Sequence, residues 1–94
     1  MPIQSPSLVE LHAFLAVARS GSFRGAAQSM FLTQAAVSRA VLRLEQHLGV
    51  DVFERSGAGV TLTPAGRELR RRTEKHVQAR ESAALALRRS AEGM

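Results

Sequence analysis

A mainly α-helical domain closed by one short β-hairpin is the fold class this sequence predicts, and three observations predict it. Apolar residues recur at helical spacing in three successive segments before residue 49, each opening on Ser or Thr, with glycine closing the first and third. Between Gly49 and Thr63 the apolar period shortens toward two around Ser56-Gly57-Ala58-Gly59. From Ala65 to about Ala91 nothing breaks a helix except Gly66 in its first turn.

Met1 to Pro6 has no periodicity and holds two of the three prolines, so it reads as a loose arm. Ser7-x-x-Glu10 is a capping box, in which each side chain bonds the other's backbone amide. The helix it opens runs over about Leu8 to Ser20, with Leu8, Leu11, Phe14, Leu15 and Ala18 at helical spacing and Gly21 as the stop. Ser22 caps a second, short helix over Phe23 to Ser29, whose apolar members are Phe23, Ala26, Ala27 and Met30. The paired alanines allow two helices to cross closely. Gly25 inside this helix costs about 1 kcal/mol relative to alanine, so tertiary contacts must hold it.

Met30-Phe31-Leu32 is a short apolar link to Thr33, the cap of a third helix that runs to Leu48 before Gly49. Val37, Val41, Leu44 and Leu48 form one narrow stripe of it, while Ala35, Ser38, Arg39, Leu42, Arg43 and Gln46 fall on the other side. A short helix, a link and a longer amphipathic helix make the helix-turn-helix layout. After it, Val50, Val52 and Phe53, then Val60 and Leu62, predict two short strands, and a hairpin beside a helix-turn-helix is a wing. Thr63-Pro64 opens the last helix, with proline at the first position, where its missing amide proton costs nothing. At ~1.5 Å per residue this helix is too long to be covered by the preceding domain, so it must project. Its stripe of Leu69, Thr73, His76, Val77, Arg80, Ala83, Ala84, Leu87 and Ala91 is diluted. It reads either as a solvated face or, preferably, as a face for a partner helix, since alanine permits close approach.

The domain limits expected are therefore 1–63 for the winged unit and 64–94 for the long helix. A unit of this size buries a modest share of its surface, which favours oligomerisation. No cysteine is present, so neither a disulfide framework nor a thiolate metal site is available. No apolar run approaches a membrane span, and no signal-peptide pattern opens the chain. Net charge is +5, from 13 Lys and Arg against 8 Asp and Glu, and every cation but Lys75 is arginine. Arginine suits phosphate and guanine recognition, although a GC-rich genome also enriches it. Distribution is more telling. Residues 11–44 contain no acidic side chain but carry Arg19, Arg24, Arg39 and Arg43, so a polyanion can approach without meeting a carboxylate. The Arg70-Arg71-Arg72 run points in three directions around its helix and reads as a solvated collar.

From Leu8 to Leu69 the sequence resembles the amino-terminal DNA-binding domain of LysR-type transcriptional regulators, in LVELHAFLAVARSGSFRGAAQSM and then TQAAVSRAVLRLEQHLGVDVFERSGAGVTLTPAGREL. Its landmarks are GSF, AA, TQ followed by SR, LE, LGV, FER and LTPAG. The resemblance implies a winged helix-turn-helix, a linker helix that pairs in a homodimer, double-stranded DNA as partner and a cytoplasmic, nucleoid-associated site of action. It also implies a ligand-sensing domain after the linker, so a small-molecule inducer would act only through residues absent here; truncation of a longer chain is the expectation. No cofactor is expected in these residues.

Carried onto this chain, the resemblance makes Gln34, Ala35, Ser38 and Arg39 the groove-reading positions, with Thr33 at the cap. The chemistry agrees: Arg39 can fork onto guanine, Gln34 can pair with adenine, and Thr33 and Ser38 can reach phosphate at the helix amino terminus. Ser22, Arg24 and Arg43 are the expected phosphate contacts, and Arg55 the wing contact. Leu69, Val77, Ala83, Ala84 and Leu87 are the expected dimerisation residues. Three departures stand out. Ala35 replaces a frequent proline and offers a methyl group to a thymine methyl. Leu42 sits where a polar residue is usual, and is either a weakly exposed apolar side chain or the neighbour of something else. The wing tip Gly57-Ala58-Gly59 lacks cations, which predicts weak wing contacts.

An enzyme would need convergent catalytic groups, yet His12, His47 and His76 are spread over three helices, Asp51 is the sole aspartate, and no phosphate loop or metal spacing occurs. A third possibility is an inhibitory or interaction stub that dimerises with full-length regulators through its long helix.

Overall fold

The computed structural model describes residues 6–57 and 59–92, apart from the side chains of 77–81. Most of the arm, Ala58 at the wing tip and the Val77 side chain thus lie outside the described residues. Four helices and one hairpin follow one another: α1 Leu8–Ser20, α2 Phe23–Met30, α3 Gln34–Leu48, β1 Phe53–Ser56, β2 Gly59–Leu62 and α4 Pro64–Glu92.

Ser7 caps α1 by accepting the Glu10 amide at 3.2 Å, and Gly21 closes it at φ 73°. The capping box is only half formed. The Glu10 carboxylate is buried and its Oε1 lies 2.9 Å from His47 Nδ1 at the far end of α3, because the adjacent helix offers it a partner that the solvent-facing Ser7 amide does not match. The core face of α1 is Ala13, Phe14, Leu15 and Val17; Leu8, grouped with it by spacing, is exposed.

In α2 the Ser22 hydroxyl accepts the Gly25 amide at 2.9 Å. A Cβ on Gly25 would lie 2.9 Å from Ser22 Oγ and 3.0 Å from Ser20 Cβ, so the glycine makes room for the serine-bonded corner between α1 and α2. The helix ends in a Schellman turn. Phe31 takes the left-handed conformation at φ 56° and ψ 39°, its amide donates to Gln28 O at 3.3 Å, and the Leu32 amide donates to Ala27 O at 3.0 Å. Glycine usually holds that position, and a larger residue there costs about 1–2 kcal/mol.

Thr33 caps α3 through the Ala36 amide at 3.1 Å, and Gly49 closes it at φ 73°. Val37, Ala40, Val41 and Leu44 are buried against α1 and α2, while Leu48 is partly covered. The wing is shorter than the period suggested. Val50 and Val52 precede the first strand, Val50 exposed and Val52 fully buried in an extended lead-in whose amide is held by Glu45 Oε2 at 2.9 Å. The strands pair antiparallel in the register Phe53↔Leu62, Glu54↔Thr61, Arg55↔Val60 and Ser56↔Gly59. Phe53 turns inward against Phe14 and Phe23, with ring centroids 5.3 and 6.1 Å apart, and so ties the hairpin to the helical core.

α4 is rooted beneath the wing. Thr63 Oγ1 accepts the Gly66 amide at 3.0 Å and donates to Asp51 O at 2.7 Å, while the Thr63 amide donates to Val52 O at 3.1 Å. A side chain on buried Gly66 would collide with that same Val52 carbonyl, so only glycine lets α4 sit this close. Leu69 packs on the core and Thr73 is buried, after which α4 leaves the domain and every described side chain from Ser82 onward is exposed.

Candidate nucleic-acid interface

The amino end of α3 presents a solvent-facing row. Gln34, Ala35 and Arg39 are exposed and Ser38 is half-buried; Ala35 and Arg39 lie opposite the stripe that Val37 and Val41 bury, Ser38 on its flank and Gln34 at its edge. Arg43 continues the row one turn on, also exposed. Thr33 uses an oxygen lone pair to cap the helix, which leaves its hydroxyl proton to donate. Because α3 begins here, several backbone amides of its first turn point outward and carry the positive end of the helix dipole.

Arg55 reaches the same side from β1. Its guanidinium lies over the Phe23 ring, 4.3 Å from the centroid, and Phe23 is in turn packed edge-on against Phe53. The stack holds a long, flexible cation in one place. Ser38, Arg39 and Arg55, with Val41, Leu42, Glu45, Asp51 and Phe53, line an open groove of about 480 Å³ between α3 and the base of the wing. Leu42 is 54% exposed, more than the weak exposure expected of it, and with Val50 also lines the shallower groove beside it. Ser22 is half-buried and Arg24 is exposed at the amino end of α2.

Apart from Arg19, which reaches Glu74 on α4 at 3.9 Å, the cations divide into two populations. Among the described residues, Arg24, Arg39, Arg43 and Arg55 form no ion pair, whereas on α4 Arg70 pairs with Glu74 at 3.3 Å and Arg71 and Arg72 pair with Glu68 at 2.7 and 2.8 Å. Two guanidiniums bonded to the Glu68 carboxylate lower its pKa from 4.5 to about 2, and that carboxylate raises Arg71 above its usual value. The collar on α4 is thus largely neutralised by its own helix, while the cations around α3 keep their charge for a partner.

Sequence reasoning passed over three residues here. Glu45, seen only as part of the LE landmark, holds the Val52 amide and, at 3.5 Å, the Phe53 amide, joining α3 to the wing. Phe23, read as core, also carries Arg55 on its face. Leu85, outside the spacing-derived stripe, is half exposed on α4 beside the exposed Ala83, Ala84 and Leu87, whereas Leu69 is turned toward its own core. Only a contact across 7 residues for Glu45, and one between β1 and α2 for Phe23, reveals the first two.

Residues 8–67 match the family described as bacterial regulatory helix-turn-helix protein, lysR family. The chain belongs to the lysR family. An HTH-type transcriptional regulator of Sinorhizobium fredii is 49% identical to it over 67 residues, covering 71% of this chain and 22% of that protein. This lysR chain thus spans about a fifth of that relative's length. The crystal structure of the BenM DNA-binding domain in complex with catB site 1 DNA superposes with a TM-score of 0.84 at 30% identity, covering 94% of this chain and 99% of that one. The CbnR DNA-binding domain in its DNA complex superposes with a TM-score of 0.78 at 29% identity, covering 90% and 98%. These likenesses make the chain a winged-helix, LysR-type DNA-binding domain, from a family of transcriptional regulators rather than enzymes. No helix among the described residues is long and apolar enough to cross a membrane.

Proposed function

We propose that this domain binds a pseudo-palindromic DNA site as a homodimer, each copy laying the start of α3 in the major groove. The observation that carries the reading is the convergence of Ser38, Arg39 and Arg55 on one groove, with no ion pair to the described arginines there. Arg39 forks onto a guanine edge, Gln34 pairs with adenine, and Ala35 touches a thymine methyl. Thr33, Ser22, Arg24 and Arg43 hold phosphates on either side. Arg55, braced by Phe23, contacts the backbone or minor groove at the wing. The exposed Ala83, Ala84 and Leu87, with Val77, supply the pairing face of α4, and Leu69 anchors the helix at its root. The protein then acts at the nucleoid in the cytoplasm, without a cofactor in these residues, and takes any inducer through a separate ligand-sensing domain.

Selection of bound sequences from a random DNA pool gives the half-site and its spacing at once. On the selected site Arg39→Ala loses about 1–3 kcal/mol while non-specific affinity stays nearly intact. An equal loss on random DNA would reduce Arg39 to a phosphate contact, and selection of no sequence would remove the reading altogether.

A further inference from the structure

The turn that delivers α3 carries an apolar side chain with no place inside the fold. Phe31 is 95% exposed, and among the described residues it is the only non-glycine with a positive φ. Its backbone is fixed in that state by the two hydrogen bonds of the Schellman turn, from its own amide and from that of Leu32. Glycine or asparagine would close the same turn with less strain, and the phenyl ring buries almost nothing of itself in return. Strain that no internal contact offsets points to a contact outside the molecule.

Position indicates the partner. Phe31 stands two residues before Thr33, so its Cα is within about 7 Å of the recognition-helix cap. Leu32 beside it is 43% exposed and widens the apolar spot, while Gln34, Ala35 and Arg39 lie just beyond the cap. Residues 11–44 contain no carboxylate and carry Arg24, Arg39 and Arg43 without an ion pair among the described residues, so the chain on either side of the spot supplies a cationic rim. Two copies of such a surface repel each other. Duplex DNA fits it, because an anionic backbone matches the rim while thymine methyl groups and deoxyribose carbons match the ring.

We propose that Phe31 is itself a DNA contact, packing its ring on apolar atoms of the duplex beside the bases faced by the start of α3. The proposal rests on the DNA-reading function argued above. The ring adds contact without charge, so it contributes affinity that salt does not erode.

Fluorescence anisotropy with the selected duplex, on wild type, Phe31→Gly, Phe31→Asn and Arg39→Ala, tests it, alongside thermal melting and sedimentation. Both Phe31 variants are expected to melt at or above the wild-type temperature yet bind about tenfold more weakly, about 1.4 kcal/mol. Their slope of log affinity against log salt should match wild type, since no phosphate contact is lost. Replacing thymines by deoxyuridines then separates the two sources: a loss larger in wild type than in Phe31→Gly assigns the methyl group, and an equal loss in both, as the Ala35 contact alone would give, assigns deoxyribose. Wild-type affinity in both Phe31 variants while Arg39→Ala weakens would overturn the Phe31 contact and leave the DNA reading standing. Absence of site-selective binding by the wild type would overturn both. Altered sedimentation with unchanged affinity would make Phe31 a contact between copies, and would also overturn the proposal.

Discussion

Glu45 does more at the level of single residues than its place in a charged, half-exposed helix turn suggests. One carboxylate oxygen receives two successive amides, from Val52 at 2.9 Å and Phe53 at 3.5 Å, where the chain enters the wing. Hydrogen bonds to a charged group contribute about 1.5–3 kcal/mol. Glu45→Ala should lower unfolding free energy by about that amount in urea titration and loosen the wing relative to α3; a change under a few tenths would show that water replaces the carboxylate without loss. Glu10 makes a second long-range link, through His47 two residues further along α3. Neither partner was legible, because the capping box and the LE landmark each account for the residue locally, whereas the bonds actually formed join distant segments.

Elements were legible where local signals agree. Ser7, Ser22, Thr33 and Thr63 all cap as their positions predict, and Gly21 and Gly49 close helices at left-handed φ. The hairpin was legible as a hairpin but not in its limits, since Val52 is apolar for burial beneath α4 rather than for strand alternation. In α4 the Glu68 bridge is the element's own electrostatic feature. Its carboxyl is depressed to about 2 from 4.5, so the helix stabilisation it gives is complete above about pH 4.5 and is lost as pH falls through about 2. Acid melting followed by circular dichroism should show Glu68→Gln less sensitive over that window than wild type, and added salt should shrink the difference, because these groups are solvent-exposed.

For the whole molecule, the sequence foretold a winged domain with a projecting helix, and the structure spans 53 × 34 × 21 Å accordingly. What sequence could not separate was where anchoring ends and the free part of α4 begins. Leu69 and Thr73 share a stripe with Leu87, yet the first two face the domain while Leu87 is 74% exposed. If the outer half pairs with a second copy, Leu87→Asp should shift sedimentation toward monomer and weaken binding to paired half-sites more than to a single one. An unchanged sedimentation profile would sink the α4 dimer.

The close seat of Gly66 against the Val52 carbonyl, reinforced by Thr63 on Asp51, has a mechanical meaning. It welds a rod of 29 residues, about 43 Å at 1.5 Å per residue, to the base of the wing at one end. Such a rod is a lever with its fulcrum inside the domain: a few degrees of swing at the root correspond to several ångströms at the tip. The spacing of any two heads joined through their tips is therefore governed by the angle at a single glycine.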